Sequence, residues 1–192
     1  NDDVFTLYRS EVSIKNLVIW KQMNASVFQL GYGYDGVRQN ISISHVDILR
    51  DETCAQVMAR GIVSMAASKG NSFKNFRIEN MTVQGDILNL LALDNLNVDT
   101  PWSAQKKDVK LGEIDLLLKN VTVTGTEKGQ WWGKQFEDRK GQPMRSRLRT
   151  EKEGRITVNF EHVSLNGKTL KSEDDFPNGL EKCGNVKLVF EP

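Results

Sequence analysis

Ile41-Ser-Ile-Ser-His-Val-Asp-Ile48 alternates apolar and polar residues on both sides of a single slip at His45. Period-two alternation turns successive side chains to opposite faces, so the segment reads as a strand with one buried face. Four further segments repeat it: Val12-Ser-Ile-Lys-Asn-Leu-Val-Ile19, Phe76-Arg-Ile-Glu-Asn-Met-Thr-Val83, Leu116-Leu-Leu-Lys-Asn-Val-Thr-Val123 and Val158-Asn-Phe-Glu-His-Val-Ser-Leu165. The shared element is apolar, any residue, Asn or His, apolar, any residue, apolar. Asparagine tolerates left-handed backbone and bonds neighbouring peptide groups, so it suits a tight bend between two short strands. Stacked coils would place each Asn above the last.

The repeat positions Asn16, His45, Asn80, Asn120 and His162 follow one another at 29, 35, 40 and 42 residues. A solenoid tolerates uneven spacing because insertions become loops while strands keep stacking. Shorter strands fit the intervals at Val27 to Leu30, Gly61 to Ala66 and Ile87 to Leu93, with Val186 to Phe190 closing the chain. An antiparallel sandwich is the alternative. Its two-residue turn signals are few, Asn166-Gly167 being the best and Asn178-Gly179 lying beside Pro177. The expected fold is therefore all-β, a parallel β-helix forming one domain over residues 1–192. Residues 126–155, with Trp131-Trp132 and the basic run Arg139 to Arg149, read as a long solvated loop. A capping segment is expected over 166–192, mostly loop from Lys168 to Asn185.

Composition narrows the function. The 192 residues hold 26 Lys plus Arg against 25 Asp plus Glu, a formal charge of +1, so no global field favours nucleic acid or an anionic membrane. Hydrophobic residues make up 39% and charged residues 27%, which fits a folded soluble domain, and no apolar run is long enough to span a bilayer. Cys54 and Cys183 lack zinc or redox spacing and read as one disulfide or two buried thiols. Two histidines are too few for a multi-histidine metal site, so neither metal nor cofactor is expected and catalysis would rest on carboxylates.

Asp2-Asp3 stands at the mouth of the strand Val4-Phe-Thr-Leu-Tyr8. Acid and base could come from this pair together with a carboxylate one coil away, since adjacent coils lie about 4.8 Å apart. Trp20, Lys21, Gln29, Tyr32 and Tyr34 follow one coil later, and aromatic faces with polar handles can line a sugar cleft. His45 and His162 share the asparagine positions and read as ladder residues. Asn24, Asn40, Asn80 and Asn120 head glycosylation triplets, two of them belonging to the repeat itself.

Asn1-Asp-Asp-Val-Phe-Thr-Leu-Tyr8, Val12 to Lys21, Phe28-Gln-Leu-Gly-Tyr32 and Ile41 to Ile48 together resemble glycoside hydrolase family 49, the dextranase and isopullulanase group. The layout is shared more distantly with the polygalacturonase-like β-helix clan. The resemblance covers roughly the first fifty residues, with Met23 standing where family members commonly carry His. It implies a right-handed parallel β-helix and inverting hydrolysis of an α-glucan. Asp2 would be the general acid, Asp3 would help activate water, and a third Asp would lie upstream of Asn1. On this reading the chain is the C-terminal part of a longer helix, secreted or periplasmic, with a polysaccharide as partner and an open first coil able to self-associate. The alternative is a noncatalytic carbohydrate-binding or structural β-helix module.

Overall fold

The computed structural model describes residues 4–22, 26–30, 36–52, 61–65, 72–85, 89–95, 112–125, 145–150 and 154–192. Among them are thirteen strands and no α-helix. In chain order these are β1 (Phe5–Leu7), β2 (Val12–Gln22), β3 (Phe28–Leu30), β4 (Val37–Glu52), β5 (Val63–Met65), β6 (Ser72–Val83) and β7 (Leu91–Asn95). There follow β8 (Glu113–Val123), β9 (Ser146–Thr150), β10 (Arg155–Leu165), β11 (Lys168–Thr169), β12 (Leu180–Cys183) and β13 (Val186–Glu191).

The strands fall into two sheets. One runs β1-β3-β5-β7-β9-β12, and the other runs β2-β4-β6-β8-β10, with β11 and β13 both on the far side of β10. Every pairing is parallel except β10 with β11. An antiparallel sandwich would set consecutive strands side by side, and only β10 and β11 do so, through the Asn166-Gly167 turn with φ of 51° and 77°. The order is consistent with a β-helix.

Register stacks like on like. Val12, Ile41, Phe76, Leu116, Val158 and Leu188 form one inward row, and Ile14, Ile43, Ile78, Leu118, Phe160 and Phe190 the next. Beyond the bend, Leu17, Val46, Met81, Val121 and Val163 continue the core. The bend residues Asn16, His45, Asn80, Asn120 and His162 all have φ between 52° and 59°. A left-handed residue reverses the facing of the strand, so both halves turn their apolar residues inward despite the slip in alternation.

A second left-handed column lies five residues earlier, at Glu11, Asn40 and Asn75, with φ of 58°, 56° and 52°. Asn75 Nδ2 donates to Asn40 Oδ1 at 2.8 Å, and Asn40 Nδ2 donates to Glu11 Oε1 at 2.8 Å. The column stops where the β6–β8 register shifts between Phe73 and Phe76, so that β8 needs one residue fewer.

Three expectations are corrected. The stretch read as a solvated loop contains β9, whose Ser146, Arg147, Leu148 and Thr150 are buried. Parallel neighbours on both sides, β7 and β12, hold it there, and Arg149 meets Glu181 at 3.5 Å. Within the expected terminal loop lie β11, a 3-10 turn over Glu173–Asp175 and β12. The turn delivers Phe176 edge-on to Phe160, which stacks on Phe190 at 5.1 Å between ring centroids. Cys183 is an exposed free thiol rather than a buried one, and Cys54 lies outside the described residues.

Candidate functional site

The described chain begins one residue after the acid pair: Asp2 and Asp3 lie outside it, as do Tyr32, Tyr34, Trp131 and Trp132. Val4, the next residue, donates its N–H to Ser26 O at 3.1 Å, and Phe5 donates to Val27 O at 2.9 Å. The backbone that follows the acids is therefore already paired with the segment leading into β3, at an edge of the first sheet.

Gln29, on β3 of that sheet, is fully buried. Its Oε1 accepts from Ser26 Oγ at 3.2 Å, and its Nε2 donates to Leu30 O at 3.1 Å. Burying an amide costs free energy unless its hydrogen bonds are met, and here neighbouring groups meet them. Trp20 lies on β2 of the other sheet and is 63% exposed. Trp20 and Gln29 thus do not share a surface. Lys21 is the next residue of β2 and pairs in register with Asp51.

Buried polar groups line the first sheet in places the sequence reading did not single out. Gly61 N–H donates to Ser64 Oγ at 2.7 Å, and the N–H groups of Leu90 and Leu91 reach Ser146 Oγ at 3.2 and 3.3 Å. A Cβ at Gly61 would sit 2.3 Å from Asn89 Oδ1, so glycine lets that buried amide approach the backbone. Gln29, Ser64, Ala92 and Arg147 form one register row, all buried. Polar side chains spaced through strands of three to five residues leave no period to detect in the sequence.

The outer face of the second sheet divides at the bend. Before it, charges pair: Lys119 with Glu161 at 2.6 Å, Arg77 with Glu79 at 3.3 Å, and Glu113 with Lys74 at 3.8 Å and Arg155 at 3.2 Å. The hydrogen bond from Lys119 to Glu161 raises the lysine pKa further above its usual range. Beyond the bend the character changes. Val18, Asp47, Thr82, Thr122 and Ser164 form one register row. Thr82 Oγ1 donates to Asp47 Oδ1 at 2.5 Å, and Ser164 Oγ donates to Thr122 Oγ1 at 3.4 Å. A neighbouring row runs through Leu49, Gln84, Thr124 and Asn166, because Gln84 N–H reaches Ile48 O at 2.8 Å, Thr124 N–H reaches Val83 O at 2.9 Å and Asn166 N–H reaches Val123 O at 2.7 Å, whereas Trp20 pairs in register with Arg50.

Leu49 is the extra residue of a bulge, since Ile19 pairs with Ile48 but Trp20 pairs with Arg50. Bulges re-aim side chains, and Leu49 is 45% exposed, as Val18 on the neighbouring strand is 69% exposed. Apolar exposure of this kind on a half-buried strand breaks the alternation rule, and that was its signal in the sequence.

His45 and His162 sit in the left-handed column with exposed side chains. Among the sequon asparagines, Asn120 Nδ2 donates to Asn80 Oδ1 at 2.9 Å, and Asn40 is held in its own ladder. No group of three His, Cys, Asp or Glu residues able to hold a metal occurs among the described residues, and no described helix is long and apolar enough to cross a membrane.

Comparison with known proteins finds similarity in part of the chain. A dextranase of Arthrobacter globiformis is 31% identical over 98 residues, covering 44% of this chain and 15% of that protein. A dextranase of Arthrobacter sp. (strain CB-8) is 30% identical over 98 residues, with the same coverage. The chain thus spans about 15% of the length of the curated relatives it matches. No protein-family model matches it, and no solved structure does.

Proposed function

We propose that the chain is part of a glycoside hydrolase acting on an α-glucan such as dextran, built as part of a right-handed parallel β-helix of the family 49 type and secreted or periplasmic. The observation that carries this reading is the partial similarity to two dextranases. The parallel order of both sheets supports it.

In this proposal Asp2 protonates the leaving glycosidic oxygen, and Asp3, with a carboxylate contributed by a preceding coil, activates the water that attacks the opposite face of the sugar. Inversion needs acid and base about 6.5–9.5 Å apart, so that a water fits between them. A rigid scaffold suits that demand. The first β-strand is held by Val4 and Phe5 N–H bonds and by Phe5 stacking on Phe28 at 5.8 Å, which fixes the backbone leaving the acid pair.

Reducing-sugar release on dextran, pullulan and pectin is the test, run with this chain and with one extended upstream. Asp2→Asn and Asp3→Asn should each lower turnover on the preferred glucan by about 10²–10⁴-fold, the range for loss of general acid–base catalysis. Turnover unchanged by both substitutions would overturn the assignment.

A further inference from the structure

We infer that β13 joins a second copy of this chain edge to edge, its free side pairing antiparallel with the same strand about a two-fold axis at Val189. The inference is independent of the glucan reading and concerns the opposite end of the sheets from β1 and β2. It starts from the backbone. Ile156 is in register with Val186, and its N–H donates to Asn185 O at 3.0 Å. Parallel alternation then turns the peptide groups of Lys187, Val189 and Glu191 toward β10 and those of Leu188 and Phe190 away from it. Among the described residues β10 is the only strand bonded to β13, so the peptide groups of Leu188 and Phe190 form an open edge.

Native edges are blunted by shortness, by bulges or by inward-pointing charges. Strands β11 and β12, of two and four residues, are short. Strand β13 has none of these protections. It is six residues long, pairs with β10 without a register shift, and turns Val186, Leu188 and Phe190 to the core, where they are only partly buried. Main-chain bonds to an added strand would complete this edge, and the side chains decide which strand is accepted.

The side chains of β13 are complementary to themselves. A two-fold axis at Val189 sets Lys187 opposite Glu191 and Leu188 opposite Phe190, each pair occurring twice. Leu188 and Phe190, whose peptide groups face the edge, then form the hydrogen-bonded pairs, and Lys187 and Glu191 fall at the closer non-hydrogen-bonded position, with Cα atoms about 4.5 Å apart. Opposite charges meet on the outer side, where Lys187 and Glu191 are exposed, while Leu188 covers Phe190 on the core side. Neither charge has an ion-pair partner among the described residues. Glu191 instead lies in register beside Glu161, which is already paired with Lys119 at 2.6 Å. Moving the axis one residue to either side sets Lys187 or Glu191 against Val189 and loses the charge pairs, so charge selects the register. A self-complementary patch of this kind makes an isologous contact that closes at two copies.

Sedimentation velocity of the full chain over a concentration series tests the inference. A reversible monomer–dimer equilibrium is expected. Lys187→Glu sets like charges opposite each other twice and should weaken the dimer by about tenfold or more, Glu191→Lys should do the same, and the double reversal should restore it. Both side chains are exposed, so far-ultraviolet circular dichroism should show all three variants folded. A chain that stays monomeric up to its solubility limit would overturn the inference. A dimer indifferent to the single reversals, or not restored by the double one, would overturn it by placing the contact elsewhere. Assembly that grows past the dimer would overturn it in favour of a contact that does not close.

Discussion

At the scale of single residues, backbone conformation explains choices that hydropathy cannot. Asn80 sits at φ 55° and accepts from Asn120 Nδ2 at 2.9 Å. Left-handed backbone costs an ordinary L-residue about 1–2 kcal/mol, a cost that asparagine lowers and glycine removes. Asn80→Ala should therefore lower unfolding free energy by about 1–2 kcal/mol in urea titrations, and Asn80→Gly should cost clearly less. Equal losses would mean that the ladder bond, not the conformation, selects asparagine. Asp175 makes a second case. The Lys168 ammonium bonded to it, followed by the N–H of Lys171, holds its carboxyl well below the usual carboxylate range. A depressed folded pKa stabilises the fold above the unfolded value, about 3.9, and that stabilisation is lost as pH falls further. Melting temperatures should drop more steeply below about pH 4 in the parent than in Asp175→Asn, the two curves converging in strong acid. Parallel curves would show that Asp175 does not couple folding to protons.

At the scale of elements, the two sheets differ in what stabilises them. Strands β4, β6, β8 and β10 are each long enough to place at least four residues inside and others outside, so inward and outward substitutions should separate cleanly. Ile78 is fully buried between Ile43 and Leu118, and Ile78→Ala should cost about 2–5 kcal/mol by chemical denaturation. Thr82, four residues on and exposed, should cost less than about 1 kcal/mol when replaced by alanine. Similar costs would contradict the facing given by the bend. The same difference decides what could be read in advance. The five long strands and their Asn or His bends were legible because a slipped alternation over eight residues has a single facing solution. Strand β9 was not, because Ser146-Arg-Leu-Arg-Thr150 buries both faces and has one aliphatic residue in five. The second left-handed column escaped because Glu11, Asn40 and Asn75 share a position but not a residue type. Of the residues nominated for the site, Trp20 stood out as an aromatic in a strand, whereas the facing of Gln29 depends on a three-residue strand with no measurable period.

At the scale of the whole molecule, each strand pairs with strands of its own sheet rather than with its neighbours in sequence, β10 with β11 excepted, so stability should propagate along each sheet's order. The two ends differ from the middle. Phe5, Val12, Ile14 and Leu17 at one end, and Leu180, Val186, Leu188 and Phe190 at the other, are only partly buried, whereas the rows between them are fully enclosed. At the C-terminal end the antiparallel β11 takes the β10 edge beyond His162, where a further parallel strand would otherwise pair, and Leu170 and Phe176 close the core behind it. Phe176→Ala removes a buried ring that meets Phe160 of β10 edge-on, and β6 and β4 lie two and three strands further along the sheet order from β10. Hydrogen exchange followed by mass spectrometry should then show faster exchange in β10, β11 and β13, with peptides from β4 and β6 changed little. A uniform rise across all strands would mean that the chain unfolds as one cooperative block.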